Sequence, residues 1–197
     1  MNPDQFRDLV VSTRSIRRFN SEKPVSIDIL RQMVDMARQT SSWRNKQPLK
    51  FILVNGEKSR SKVFSCLNWA KALKNWGGPT EGEQPAGYVI ILGDTSISDK
   101  YSIDPGIVSQ TLMLAAKSFD LGGCIMASVD RDLLRQKLNI SEHFEILLVV
   151  AVGEQAEDVQ LEIREAGDER PYWRDESDVH HVPKRSLAEV TISEFSD

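Results

Sequence analysis

The sequence predicts an α/β (α+β) domain, with a small central mixed sheet flanked by helices. Three observations carry that prediction. Short apolar runs of strand length occur at residues 51–54, 88–92 and 146–152, each bounded by Pro or Gly. The segments between them place apolar residues at helical spacing. The connections are marked by capping residues, Pro and Gly. A chain of 197 residues fits one domain with a sizeable core. Residues 1–197 are therefore read as a single domain, of which 154–197 form an extended C-terminal excursion and tail.

Taken in order, Asn2 and Pro3 open a first helix that carries Phe6, Leu9 and Val10 on one face. A second helix follows Ser26, with Ile27, Leu30, Val34 and Ala37 at helical spacing. Phe51-Ile52-Leu53-Val54 reads as a buried strand. From Glu57 to about Leu73 the pattern is helical, with Val63, Leu67 and Ala70 aligned, until Trp76-Gly77-Gly78-Pro79 begins a loop to about Pro85. Tyr88 to Leu92 is a second buried strand. Asp104 as cap and Pro105 at the first helical position start a helix whose shared face is Ile107, Thr111, Leu114, Ala115 and Ser118. Gly106, Ala115 and Ala116 give it small residues suited to close packing. Leu121-Gly122-Gly123 stops it, and 124–127 form a short strand. Asp130 caps a helix through Leu138, and the apolar run 146–152 is the central strand. Residues 154–185 hold ten acids against five bases and few aliphatics, which reads as a polar surface excursion. After it, Leu187, Val190 and Ile192 suit a last turn and strand.

Composition narrows the function. The net charge is −4, whereas a nucleic-acid binder usually carries a basic excess, so no nucleic-acid partner is expected. There is no apolar run of about 18 residues to span a membrane, and the N-terminus lacks the apolar core of a signal peptide. Two cysteines, Cys66 and Cys124, in no paired motif suit a reducing, cytoplasmic compartment. His143, His180 and His181 have no metal-ligand spacing, so no metal is expected. Neither GxGxxG nor GxxxxGK[ST] occurs.

Four segments carry candidate chemistry. Arg14-Ser15-Ile16-Arg17-Arg18-Phe19 gathers guanidiniums and a hydroxyl that suit a phosphate, or else forms a solvated basic patch. The loop 41–48 delivers Asn45 and Gln47 just before a strand, where they either meet a ligand or satisfy turn backbone. Residues 122–128 include Gly122 and Gly123, which let a ligand approach the backbone or simply end a helix, and Met126, Ala127 and Ser128, of which Met126 also suits a core. Lys184 and Arg185 are a second basic pair, binding or solvated.

The order of these segments resembles the flavin-dependent nitroreductase family. The resemblance rests on Arg14 to Phe19, on Asn45-Lys46-Gln47-Pro48, and on Asp104-Pro105-Gly106 with Gln110 and Leu114-Ala115-Ala116. It extends to Leu121-Gly122-Gly123-Cys124 and Lys184-Arg185. The resemblance implies a nitroreductase-like central mixed sheet and a homodimer whose C-terminal extension wraps the partner subunit. It implies FMN at the interface, reduced by NADH or NADPH in a ping-pong cycle that passes electrons to a small-molecule acceptor such as a nitroaromatic or quinone. By position, Arg14 and Ser15 would contact the FMN phosphate and ribityl chain, and Arg17 the pyrimidine edge. Asn45 and Gln47 would border the substrate side of the ring. Met126, Ala127 and Ser128 would present backbone to its N5 and O4 edge, and Lys184 and Arg185 would close over the phosphate. No protein nucleophile is expected, because hydride passes through flavin N5.

Departures from the family pattern are Thr13, where many members carry Arg, and Leu49, where an aromatic is frequent. Trp69, Trp76 and Lys74 stand between a pocket role and a core or surface one. Tyr172, Trp173, His180 and His181 suggest a lid or dimer-wrapping element. The resemblance also admits a dehalogenase-like or flavin-degrading enzyme, and a non-catalytic flavin- or nucleotide-binding protein remains a reading of another class.

Overall fold

The computed structural model describes every residue except Lys71, Lys74, Asn75, Ser102, Glu165, Ala166 and Asp197. The chain divides into two units, residues 1–69 with 77–156, and residues 70–76 with 157–197.

The first unit is built on a four-stranded sheet in the order β1 (Leu49–Val54), β2 (Gly87–Asp94), β4 (Phe144–Gly153), β3 (Gly122–Met126). These strands pair antiparallel throughout. Parallel pairing enters at the sheet's edge, where Ser15 and Gly123 form a bridge. β2 is buried at every position and β4 over its last five, as expected of continuous apolar runs in the middle of a sheet. β1 was expected to be buried but is an edge strand, and only Val54 is fully buried.

Helices α2 (Ile27–Ala37) and α4 (Asp104–Ser118) pack on this sheet through Leu30, Met33 and Ala37 and through Val108, Leu112, Ala115 and Ala116. In α4 the buried face is thus only partly the predicted one: Ala115 is buried, but Ile107, Thr111 and Leu114 are half-buried and Ser118 is exposed. Caps behave as the sequence indicates at three helices. Asn2 and Gln5 make a reciprocal capping box at α1 (Pro3–Ser12). Ser26 accepts from Ile29 N–H, and Asp130 accepts from Leu133 N–H at α5 (Arg131–Leu138). α1 nevertheless buries no residue, and Phe6, Val10 and Val11 are exposed.

Three further expectations about the helices need correction. α3 spans only Glu57–Phe64, not 57–73, because Leu67 bridges to Val129 and Asn68 N–H donates to Ser128 O (3.0 Å), drawing the backbone out of the helix. Asp104 is not the cap of α4. It lies inside the helix, and its carboxylate is taken by a distant loop. The stop of α4 is Asp120, left-handed at φ 57°, with Leu121 N–H returning to Ala116 O (2.9 Å). Gly122 and Gly123 therefore already belong to β3.

The second unit turns the acidic excursion into a small sheet, with β7 (His180–Lys184) between β5 (Val159–Ile163), parallel, and β6 (Trp173–Arg174), antiparallel. Ionic pairs replace the missing aliphatics. Arg174 donates to the buried Glu157 carboxylate at 2.5 Å. The His181 imidazole lies between Glu162 Oε1 (2.5 Å) and Asp175 Oδ2 (3.1 Å) and stacks on Trp173 at 4.2 Å. Burial opposes a charge on His181, but Asp175 and Glu162 outweigh it and hold the pKa above the ordinary histidine value. The predicted last strand is absent: Leu187–Val190 is one helical turn, α6, and residues 191–196 have no regular structure.

Candidate functional site

Two of the four candidate segments meet at the β3 edge. Ile16 N–H donates to Gly123 O (2.7 Å), so residues 14–17 run beside β3. The two apolar residues of the basic run act as its anchors. Gly122 and Gly153 are register partners across β3 and β4. A Cβ on Gly122 would lie 2.6 Å from Ile16 Cγ1, and one on Gly153 would lie 3.0 Å from Phe19 Cδ1. These glycines therefore admit Ile16 and Phe19, both fully buried. The space at Gly123 is likewise closed, by Met113 Sδ at 2.8 Å. Of the small residues expected to admit a ligand, Gly122 thus seats Ile16 of the basic run and Gly123 is covered by Met113.

That docking leaves Ser15 exposed and Arg14 and Arg18 half-buried. The Arg14 guanidinium donates to Val10 O (2.7 Å) and pairs with no carboxylate among the described residues, while its Nε is buried without a hydrogen-bond partner. Burial pulls its pKa below the usual arginine value. Ser15 is exposed and its hydroxyl makes no hydrogen bond among the described residues. Arg17 is buried, with Nη1 on Ser15 O (3.2 Å). Thr13 turns its hydroxyl back to Leu9 O (2.6 Å), closing the C-terminus of α1 rather than facing outward.

Further along, Met126 is a buried β3 residue paired with Val149. Ala127 and Ser128 follow it in a segment fixed by backbone bonds: Ser128 O accepts from Asn68 N–H, and Ala127 O and Val129 O accept from the Arg131 guanidinium at 3.4 Å. Arg131 also donates to Ile146 O (2.8 Å) and Leu147 O (3.1 Å), tying this segment to β4. Arg131 gives no signal in the sequence, since it reads as an ordinary helix-start residue.

The loop 41–48 is tethered elsewhere in the first unit. Ser42 Oγ donates to Asp104 Oδ2 (2.6 Å), and Trp43 N–H donates to Asp104 Oδ1 (2.9 Å). Asn45 and Gln47 are exposed and bonded to each other, Gln47 Nε2 to Asn45 Oδ1 at 3.0 Å. Beneath the loop lies a cavity of about 410 Å³ lined by Ser42, Gln47, Lys50, Phe51, Asp104 and Val108, among others. Trp69 is a buried residue of this unit, tilted against Phe64. Lys74 lies outside the described residues.

In the second unit Lys184 is exposed at the end of β7, and Arg185 pairs with Glu189. Both line a groove with Arg164, Arg170 and Tyr172. The two added arginines come from the acidic stretch and carry no motif. Trp76 belongs to this unit, beneath the Arg174 guanidinium at 4.7 Å.

An antiparallel sheet with helices packed on it and a basic run on its edge make an α+β scaffold. The chain belongs to the nitroreductase family, whose model matches residues 10–80 and 83–154. It is thereby an oxidoreductase. An Archaeoglobus fulgidus relative named "putative NADH dehydrogenase/NAD(P)H nitroreductase" is 22% identical over 153 residues, covering 74% of this chain and 82% of the relative. A nitroreductase-like protein from Streptococcus mutans superimposes with a TM-score of 0.71 at 15% identity, covering 98% of this chain and 99% of that one. An FMN-dependent nitroreductase from Clostridium difficile R20291 gives 0.60 at 16% identity, covering 82% and 91%.

Proposed function

We propose that the chain is an FMN-dependent oxidoreductase that takes electrons from NADH or NADPH and passes them in pairs to a nitroaromatic, quinone or similar acceptor by a ping-pong mechanism. The observation that carries this reading is Arg14, which among the described residues has no carboxylate partner and a buried Nε without a hydrogen bond, held beside the Ser15 hydroxyl on the β3 edge. A buried donor left unpaired is costly, and a bound phosphate relieves that cost. The residues present therefore fit the group.

In this reading Arg14 and Ser15 hold the phosphate end, and Lys184 and Arg185 close over it. Arg17 supplies a fixed positive charge beside the ring's pyrimidine edge, favouring the ring once it has gained electrons. Asn45 and Gln47 flank the acceptor side. Met126, Ala127 and Ser128 present backbone to the N5 edge, their position fixed by Arg131 and Asn68. FMN, when bound, supplies hydride chemistry, so the chain need offer no nucleophile.

The same reading makes the protein a homodimer whose tail crosses to its partner. Leu187, Val190, Ile192 and Phe195 are exposed on the tail, and so are Phe6, Val10 and Val11 on α1. Each set taken by itself exposes apolar groups of the kind that contact with another subunit covers. The test is chromatographic identification of the cofactor released from purified or reconstituted protein, with bleaching of its colour by NADH and NADPH. FAD, or no flavin after reconstitution, refutes the reading, and flavin that neither nucleotide bleaches supports a carrier instead.

A further inference from the structure

Asp104 is buried to 1% exposure, yet its carboxylate is bonded not within its own helix but to a loop some sixty residues earlier. The bonds form a relay. Gln47 N–H donates to Ser42 Oγ (2.9 Å), the Ser42 hydroxyl donates to Asp104 Oδ2, and Trp43 N–H donates to Asp104 Oδ1. The loop needs such a fastening. Arg44, Asn45 and Gln47 all have left-handed backbone, at φ 51°, 53° and 51°. Asn tolerates that region, whereas Arg and Gln do so at a cost that the surroundings must offset. At Ser42 and Gln47 the loop borders the cavity described above rather than close-packed core, so hydrogen bonds do the fastening there. Within the loop, Asn45 N–H to Ser42 O (2.9 Å) and Lys46 N–H to Trp43 O (3.1 Å) complete one tight turn.

We propose that Asp104 is the positioning residue of the acceptor side: acting through Ser42, its carboxylate holds the left-handed turn that presents Asn45 and Gln47. The link to the acceptor rests on the function proposed above, whereas the relay does not. A carboxylate suits the task because it accepts from both donors at once, and it sits in the first turn of α4, where the helix dipole favours negative charge. Asparagine at 104 is uncharged and offers one acceptor oxygen for the two donors, so the charge-assisted bond from the Ser42 hydroxyl is lost.

The test is hydrogen exchange on the full chain without added ligand, comparing Asp104→Asn, Ser42→Ala and Ser42→Thr with the parent. The amides of Trp43, Asn45, Lys46 and Gln47 are expected to exchange at least tenfold faster in Asp104→Asn and Ser42→Ala, with β2 and β4 unchanged. Ser42→Thr, which keeps the hydroxyl, should stay within twofold of the parent. In reconstituted protein with p-benzoquinone as acceptor, KM should rise at least fivefold in the two broken variants while kcat stays within twofold. Unchanged loop exchange overturns the proposal, as does equal acceleration in β2 and β4, which would make Asp104 a general stability residue. If Asp104→Asn fails to fold, Ser42→Ala decides alone. A loosened loop with unchanged KM sustains the relay and overturns the placement of Asn45 and Gln47 beside the acceptor.

Discussion

Gly122→Ala tests how the basic run is seated. The new Cβ would lie 2.6 Å from Ile16 Cγ1 and 3.0 Å from Ile16 Cβ. The first distance is about 1 Å short of an ordinary carbon–carbon contact. Ile16 has no free space to retreat into, being 1% exposed and tied by its N–H to Gly123 O. Overpacking of this kind costs about 1–3 kcal/mol, and a lost hydrogen bond adds about 1 kcal/mol. Replacing Gly returns about 0.4–1 kcal/mol through the unfolded state. The net loss is about 2 kcal/mol, or about 4–8 °C in Tm for a chain of this length. Gly106→Ala serves as the opposite case: nothing lies within 4 Å of its added Cβ, in a helix, so it should stabilise by about 0.5–1 kcal/mol. The assay is thermal and denaturant unfolding of both variants, of Ile16→Ala, and of Gly122→Ala combined with Ile16→Ala. The contact predicts a coupling of at least about 1 kcal/mol, because truncating Ile16 makes room for the methyl. Additive effects of the two substitutions would refute the seating of Ile16 on Gly122.

Arg17→Ala is expected to lower the flavin reduction potential more than it lowers FMN affinity, and Arg185→Ala to do the reverse; potentiometry and titration decide, and equal effects in both variants count against the assignment. Arg14→Ala should weaken FMN binding by about 10- to 100-fold, the equivalent of losing a charge-assisted bond of about 1.5–3 kcal/mol. His181 is held above its ordinary pKa, so its contribution to the second unit is complete below about pH 6.5 and is lost as pH rises through the higher folded value. Asp175, held below the usual carboxylate range first by its bond to His181, contributes above about pH 3.9 and fades as pH falls through its folded value. Proton NMR titration of His181 in the parent and in Glu162→Gln checks the first sign, with a lower pKa expected in the variant. Deleting residues 183–197 should abolish both dimerisation and FMN binding, as light scattering and flavin retention will show.

The sequence exposed those features whose cause is local. The caps at Asn2, Ser26 and Asp130 are each satisfied within three residues, and the apolar run 146–152 has no place but the middle of a sheet. Features with distant causes were misread. Asp104 followed by Pro105 looks like a cap until Ser42 and Trp43 claim its carboxylate. Val63, Leu67 and Ala70 keep helical spacing, but Val129 captures Leu67. The strands of 157–184 escaped notice because Glu157–Arg174 and the His181 pairs do the work that aliphatic alternation does elsewhere. Among the candidate residues, the run at 14–17 and the glycines at 122–123 were each chosen for their own chemistry. That they join through a single bridge is a consequence of topology, which spacing in the chain does not encode.

The bridge at Ser15 has a bearing on solubility as well as on ligands. A strand at the margin of a sheet offers unpaired N–H and C=O groups to any extended chain, its own copies included. On the β3 side this margin is occupied by a segment of the same molecule, so an approaching strand meets a filled edge flanked by the half-buried Arg14 and Arg18 rather than a template. The residues that suit a phosphate are then also the molecule's guard against edge-to-edge association. Neutralising Arg14 and Arg18 together would remove both at once. Loss of soluble protein in such a variant reports on the guarded edge, and affinity is best read from single substitutions that leave Ile16 and Phe19 seated.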